Sequence, residues 1–557
     1  MPNVISKHWI SARTGGRSPV RLGSFRGCQR TWLAGACALL IHAALAAPLA
    51  TGVPRIGWTS AKIMLRPGSR DTRGYAATVF HRRAYTVDLI DAHSGERSTS
   101  QIWFDTNRTG RWVRTLVAQV PDDPDQDGVM TPQIVVVPTS GHVVIAVADH
   151  TASGSKLLSF SNQSGSWQPL SLPLDSGPIH DAMAPSLAAH GKTVTIAFNA
   201  DYVNSADVCG QQEGNIFLST LTDGSSTWSL PKNVTKDYCK PGLLAVGPRL
   251  AYSPTGTLYM LYERSGDPNS LEQLAVRSGT LAAKTEEIIE PSPAAKNWGL
   301  ISHSPYGFEA IAFDARGVAH VTYITSDGDS ATPPRLMYAV RDPGGWRRTV
   351  LYQAAKRRAN ADVVPSATAI ATGQTGVTVA FVGTANYPLG GEGSEAVYLM
   401  HTTGNGWSSP TNFTDSRHSD SSPILATSTG LMDLFLARDS LEYLYARQLP
   451  FPQITESLTG SAGIPPTYAA DHTLTLKGSV APAYRPETVI ICLQHRLTAV
   501  RWGKCQNTSA RTVVAAQSGA FTYRHGPLAA GQYRLRVAVR KTNDHLSGSR
   551  SFKFTIR

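Results

Sequence analysis

The chain has 557 residues, 41% of them hydrophobic and 17% charged, with 52 Lys and Arg against 40 Asp and Glu for a formal net charge of +12. That length exceeds one ordinary globular domain and points to two or three, or to one large repeat array. No basic cluster interleaved with aromatic residues argues for nucleic acid, so none is expected as a partner.

At the N-terminus, Lys7, Arg13, Arg17, Arg21, Arg26 and Arg30 stand without an acid, and the apolar stretch TWLAGACALLIHAALA follows, ending in Ala44-Leu45-Ala46. A basic region, a short apolar core and an A-x-A site predict a secretory signal over residues 1–46. The apolar stretch has 16 residues, short of the ~20 that span a bilayer, so no membrane insertion is expected after cleavage. Six positive charges leave with the signal and no negative ones, which makes the remaining 511 residues about +6. A mildly basic chain permits an acidic polysaccharide partner without requiring one. The expected location is secreted, periplasmic or at the cell surface. Residues 47–69 read as a linker.

From residue 70 to 450 one pattern recurs: a Pro or its equivalent, a short apolar stretch, a Gly turn, a strongly β-forming run and a third strand, often closed by a Trp. The copies open at Pro132, Pro185, Pro248, Glu309, Pro365 and Pro423, spaced 53, 63, 61, 56 and 58 residues apart. A more divergent copy precedes them and ends at Trp112. Turns carrying Trp167, Trp228, Trp346 and Trp407 close several of the others. Helical periodicity is scarce. Repeated strands at this spacing are the signature of propeller blades, whereas a sandwich would not produce six similar copies. The expected fold is all-β, a six- or seven-bladed β-propeller over residues 70–450, the blade count left open by the divergent first copy and by the option of closing the ring through shared strands.

After RQLPFPQ the pattern changes to short alternating strands. Residues 451–557 are therefore expected to form a C-terminal Ig-like or fibronectin-like β-sandwich. Of the six cysteines, Cys209, Cys239, Cys492 and Cys505 remain after cleavage. An even number in an exported chain reads as two local disulfides, Cys209–Cys239 and Cys492–Cys505. Closing the second loop, of 13 residues, is worth about 3 kcal/mol in the chain-entropy picture.

The stretch STLTDGSSTW, Ser219–Trp228, resembles an Asp-box repeat of the sialidase-like (neuraminidase) β-propeller superfamily with one inserted residue, and the other Gly-turn-Trp ends resemble copies that have lost the Asp. The resemblance covers most of residues 70–450 and implies the propeller fold. In that family an arginine triad, a Tyr–Glu pair and an acidic residue after an F-R-I-P-type motif carry catalysis; VPRIGW at 53–58 departs from that motif.

In a propeller, the segments entering each innermost strand converge on one face with the loops that follow the second strand. Here they carry His180 and Asp181, His303, Tyr306 and Glu309, Arg358 and Asp362, and Arg417, His418 and Asp420, joined by Asp149, His150, Glu263, Arg264, Arg438 and Asp439. Such a ring suits acid–base work on a sugar. The candidate catalytic set is His180, Asp181, His303, Tyr306, Glu309, Arg417 and Asp420, with Arg417 neutralising a substrate carboxylate. Against this stands the plain reading that loops are polar because they meet water. Three classes stay open: a glycoside hydrolase or polysaccharide lyase, a glycan- or protein-binding propeller, and a structural surface protein.

One loop has its own signature. Asp123, Asp125 and Asp127 followed by Gly128 reproduce the D-x-D-x-D-G start of a Ca²⁺ loop, but position 12 is Ile134 where a bidentate Glu is expected. The site is then partial or completed from another loop; the alternative is a solvated acidic turn.

Overall fold

The computed structural model describes residues 56–557 except 61, 66–71, 95–96, 108–110, 122–127, 152–153, 175–178, 203–214, 236–244, 266–271, 280–285, 292–298, 301–308, 327–333, 354–362, 386–394, 404–405, 415–419, 440–441, 451–452, 459–466, 469–473, 482–486, 506–510, 516–519 and 541–544. The described residues are all-β, without a helix. None is part of a helix long and apolar enough to cross a membrane.

Up to Pro450 the described strands form seven antiparallel sheets of four or five strands, the first six each built from one continuous stretch of chain. The first sheet runs Thr72–Phe80, Arg83–Ser94, Arg97–Thr106, Val113–Pro121, and the later ones repeat this meander. Burial grades across each sheet. Second strands such as Val143–Thr151 are almost wholly buried, whereas the fourth strand Val113–Pro121 is largely exposed. A strand covered on both faces by neighbouring sheets reads as a continuous apolar run, which explains why the second strand of each copy was the strongest β signal.

Seven apolar clusters lie between successive sheets. The first joins Val87 and Phe104 to Ile145 of the second sheet, and the last joins Phe435 and Tyr443 of the seventh sheet back to Ala84 of the first. The seventh sheet is completed from the N-terminal side: Ile56–Trp58 and Lys62–Leu65 both pair with Glu442–Pro450. This arrangement is consistent with a β-propeller whose ring closes by strand sharing.

The closing tryptophans reach backward, each onto the sheet before its own. Trp112 meets Tyr445 at 5.7 Å, Trp167 meets Phe104 at 5.0 Å and Trp407 meets Tyr338 at 4.8 Å between ring centres. Trp228 is buried and donates its Nε1–H to Ser159 Oγ at 3.0 Å. The seventh sheet takes its Trp from the closing strand, with Trp58 against Phe413 at 5.7 Å. In the fourth sheet, ionic contacts stand at the corresponding interface: Arg277 donates to the Val234 carbonyl of the third sheet and pairs with Glu286 at 3.1 Å.

The prolines that mark the copies have a backbone reason. Register breaks at Met130/Gln133, Met183/Ser186, Val246/Arg249, Pro365/Ala367 and Ser421/Ile424 bracket or begin at Pro132, Pro185, Pro248, Pro365 and Pro423. A proline has no N–H to give the ladder and is tolerated in a sheet at bulges. Thr131, Ala184 and Ser422 sit at φ of 49°, 48° and 50°, so these bulges hold strained, non-glycine left-handed residues.

From Gln453 onward, a three-stranded and a five-stranded sheet share one core that includes Leu476, Phe521, Ile491, Leu535 and Phe554. Cys492 and Cys505 are disulfide-bonded, with Cα atoms 5.2 Å apart. Cys209 and Cys239 lie outside the described residues.

Candidate functional site

The inner strands of all seven sheets line one cavity of about 640 Å³. Its wall is mainly small and apolar, with Thr131, Gln133, Ser186, Thr368, Ser421 and Ser422 supplying polar groups. Two tyrosines, Tyr75 and Tyr443, stand together in it with ring centres 4.7 Å apart. Tyr75 donates its hydroxyl to the Ser422 carbonyl. Burial, then the neighbouring Tyr443, pushes the Tyr75 phenol well above its ordinary range. It is a hydrogen-bond donor at neutral pH and not a base.

Only two charged side chains are among the described lining residues, Arg249 and Glu309. Arg249 directly follows Pro248 and its bulge. Burial lowers its pKa, partly offset by the carboxylates of Glu309 and Glu263. Glu309 is 5% exposed and Glu263 1% exposed. Glu309 Oε2 is buried without a hydrogen-bond partner among the described residues. Glu309 thus lines the cavity and carries a desolvated carboxylate oxygen whose accepting capacity no described residue uses, on a group that can give or take a proton.

The other sequence-derived residues fall in different surroundings. Asp181, in the left-handed region at φ 52°, accepts the Ser155 N–H at 2.8 Å, and Ser155 Oγ lies 2.8 Å from His150 Nδ1. A Cβ on Gly154 would meet Asp181 Oδ1 at 2.3 Å, so only glycine fits there. Asp181, entering the third sheet, thus meets the end of the second sheet's middle hairpin, where Asp149 pairs with Lys156 at 3.3 Å. Asp420 is fully buried and held by both arms of Arg438, Nε to Oδ1 at 2.7 Å and Nη2 to Oδ2 at 3.0 Å. Arg264 pairs with Glu286 and donates to Gln273 Oε1 at 2.8 Å. Of the described members of the candidate catalytic set, Asp181, Glu309 and Asp420, Glu309 is the one among the cavity-lining residues. His180 is the second residue of the third sheet's inner strand, Ile179–His190, by its backbone; its side chain, and His303, Tyr306, Arg417, Arg358, Asp362 and His418, lie outside the described residues. So do Asp123, Asp125 and Asp127. Among the described residues no group of three His, Cys, Asp or Glu is placed to hold a metal.

Arg249 escaped the reading of the loops because it lies inside a repeat, one residue past the marker proline. A signal was present. In the other Pro-led copies that position is Gln133, Ser186, Ser366 and Ile424, so Arg249 is the one charged residue there.

Comparison with protein-family models and with curated proteins finds no match. Among solved structures, the chain is similar to the polysaccharide lyase Uly1, at 8% identity and a TM-score of 0.42 over 67% of this chain and 89% of that one. It is also similar to the GH93 α-L-arabinofuranosidase of Fusarium graminearum in complex with arabinobiose, at 11% identity and TM-score 0.37 over 71% and 98%. A third is the Trypanosoma rangeli sialidase in complex with sialic acid, at 10% identity and TM-score 0.35 over 78% and 84%.

Proposed function

We propose that this chain is an exported, seven-bladed propeller with a C-terminal Ig-like domain, and that it binds a glycan at the mouth of its central channel and acts on it there. The observation that carries this reading is Glu309, a buried carboxylate with an open oxygen on a cavity of about 640 Å³ beside Arg249 and Glu263. Sugar hydroxyls are the donors such an oxygen wants, and small apolar walls with a few convergent polar groups are usual for ligand sites.

In this reading Glu309 exchanges the proton, Arg249 holds its charge in place, and the Tyr75 oxygen, its own proton given to the Ser422 carbonyl, accepts a hydrogen bond from a sugar hydroxyl. His180, His303, Tyr306 and Arg417, from segments entering the same strands, complete the site from above, and a paired carboxylate serves hydrolysis. The Asp123, Asp125 and Asp127 loop binds Ca²⁺ and braces the second blade. A rise in thermal midpoint with millimolar Ca²⁺ over chelator is expected; no shift removes the metal from the reading.

The test is turnover and binding of the full chain on a panel of neutral and anionic glycans, with Glu309→Gln beside the parent. Loss of turnover with binding retained supports an enzyme. A second reading, glycan binding without catalysis, is favoured by the commitment of Asp420 and Asp181 to internal partners, which leaves fewer carboxylates for chemistry. Binding without turnover in the parent, lost in Glu309→Gln, decides for it. No binding to any glycan ends both.

A further inference from the structure

The charge of this chain is unevenly divided. Residues 451–557 contain 14 Lys and Arg against 4 Asp and Glu, a net +10, whereas residues 54–450 contain 32 against 36, a net −4. The excess of positive charge is a property of the C-terminal two-sheet unit, and a face of its larger sheet gathers part of it.

In the strand Gly531–Val539, Tyr533, Leu535, Val537 and Val539 point into the core, so Arg534 and Arg536 stand on the outer face. Across the ladder Arg534 is paired with Lys553 on one side and Gln494 on the other. The disulfide-closed loop lays Trp502 onto the same face. Its ring lies 4.8 Å from the Arg534 guanidinium and 6.0 Å from Lys553 Nζ. Gln494 ties sheet to loop, accepting from Arg534 at 3.0 and 2.7 Å while donating to the Gly503 carbonyl at 2.9 Å. Arg501 and Lys504 are exposed on that loop, as are Arg536 and Lys553 on the sheet. Among the described residues, Arg501, Lys504, Arg534, Arg536 and Lys553 have no carboxylate partner.

We propose that this face docks an acidic polysaccharide, a chain bearing sulfate or carboxylate groups. Alternate residues on a strand are ~7 Å apart and neighbouring strands ~4.8 Å. The cations therefore stand within one Debye length, ~8 Å at physiological salt, and act together on a polyanion. Arg534 at their centre is held by the indole and Gln494, so it loses less freedom on binding. Single-stranded nucleic acid would ask for several free aromatic faces on which successive bases stack. This surface offers one indole, already covered by its own cations. The proposal is independent of the channel and of what happens there.

The test uses the full chain on immobilised heparin and on polygalacturonate, which separate sulfate from carboxylate, with neutral dextran as the control. Retention on at least one polyanion is expected, falling steeply with salt. Arg536→Glu with Lys553→Glu, both exposed, should weaken binding at least tenfold with an unchanged thermal midpoint, and Arg536→Gln with Lys553→Gln by less. No retention on either polyanion, or retention that the double reversal leaves unaltered, overturns the proposal. Stronger binding to a single-stranded DNA or to phosphatidylserine vesicles than to either polysaccharide assigns a different occupant and overturns it as well.

Discussion

Removing Arg438 should cost this protein more than removing Asp420, although the two form one ion pair. Asp420 opens the inner strand of the seventh sheet and Arg438 ends the strand beside it, directly across the ladder. The Asp420 side chain is 0% exposed and that of Arg438 is 17% exposed. Arg438→Met therefore leaves a buried carboxylate with no cation among the described residues, at the upper end of the ~3–5 kcal/mol seen when one partner of a buried pair is deleted. Asp420→Leu leaves a guanidinium that still reaches solvent, and about 2 kcal/mol is expected, closer to the loss of a charged hydrogen bond. The double variant, Asp420→Leu with Arg438→Met, should cost less than Arg438→Met alone, because the charge and its counter-charge leave together. The assay is urea unfolding followed by tryptophan fluorescence, run for all four proteins alongside the glycan panel. A cost below about 1 kcal/mol for Arg438→Met would mean that Asp420 is not committed to this pair. Its carboxylate would then be free to join Glu309 in chemistry.

Three further outcomes are expected. Asp88 and Asp105 share the buried side of the first sheet with one cation, Arg114, and burial raises both carboxyl pKa values. Groups raised on folding give stability that is full below the ordinary carboxylate pKa and lost as pH climbs through the raised values. Asp105→Asn should therefore raise the melting midpoint at pH 7 and change it little at pH 4; an equal shift at both, measured by calorimetry, would refute the assignment. Trp228→Ala should cost about 3–5 kcal/mol by emptying the space between the second and third sheets, and Trp228→Phe should restore most of it, less the bond to Ser159; urea midpoints of the two variants test this. Replacing Cys492 and Cys505 by Ala should free the loop that carries Trp502 and weaken polyanion retention together with thermal stability, whereas unaltered retention would show that the disulfide does not position that face.

The sheet-forming repeat was legible because its marks are local. A proline at a bulge, a glycine at a turn and a continuous apolar second strand each follow from the backbone at their own position. The cavity was less legible because it is made by register. Nothing local to Asp420 reveals that its ladder partner is Arg438, and nothing local to Arg249 reveals that it lines the cavity shared by the other inner strands. Glu309 was found because it opens a copy where the others carry proline. The basic face of the C-terminal unit escaped for another reason: a near-balanced 54–450 segment diluted its charge in the whole-chain figure, and Trp502 joins Arg534 only through the fold.

The pairing of Ile56 with Pro450 joins residues 394 positions apart. A ribosome must deliver almost the entire ring before its first strand finds a partner, so the clasp is set after synthesis of the other sheets, when most neighbour contacts already exist. The entropy of drawing those ends together grows only slowly with the length between them, so the clasp is affordable, but it is late. Until then the exposed edge of Glu442–Pro450 is an unpaired strand open to any passing chain. That interval is when a second molecule's N-terminal strand can take the place of its own, and exchange of that strand is the form in which a misassembled pair would arise.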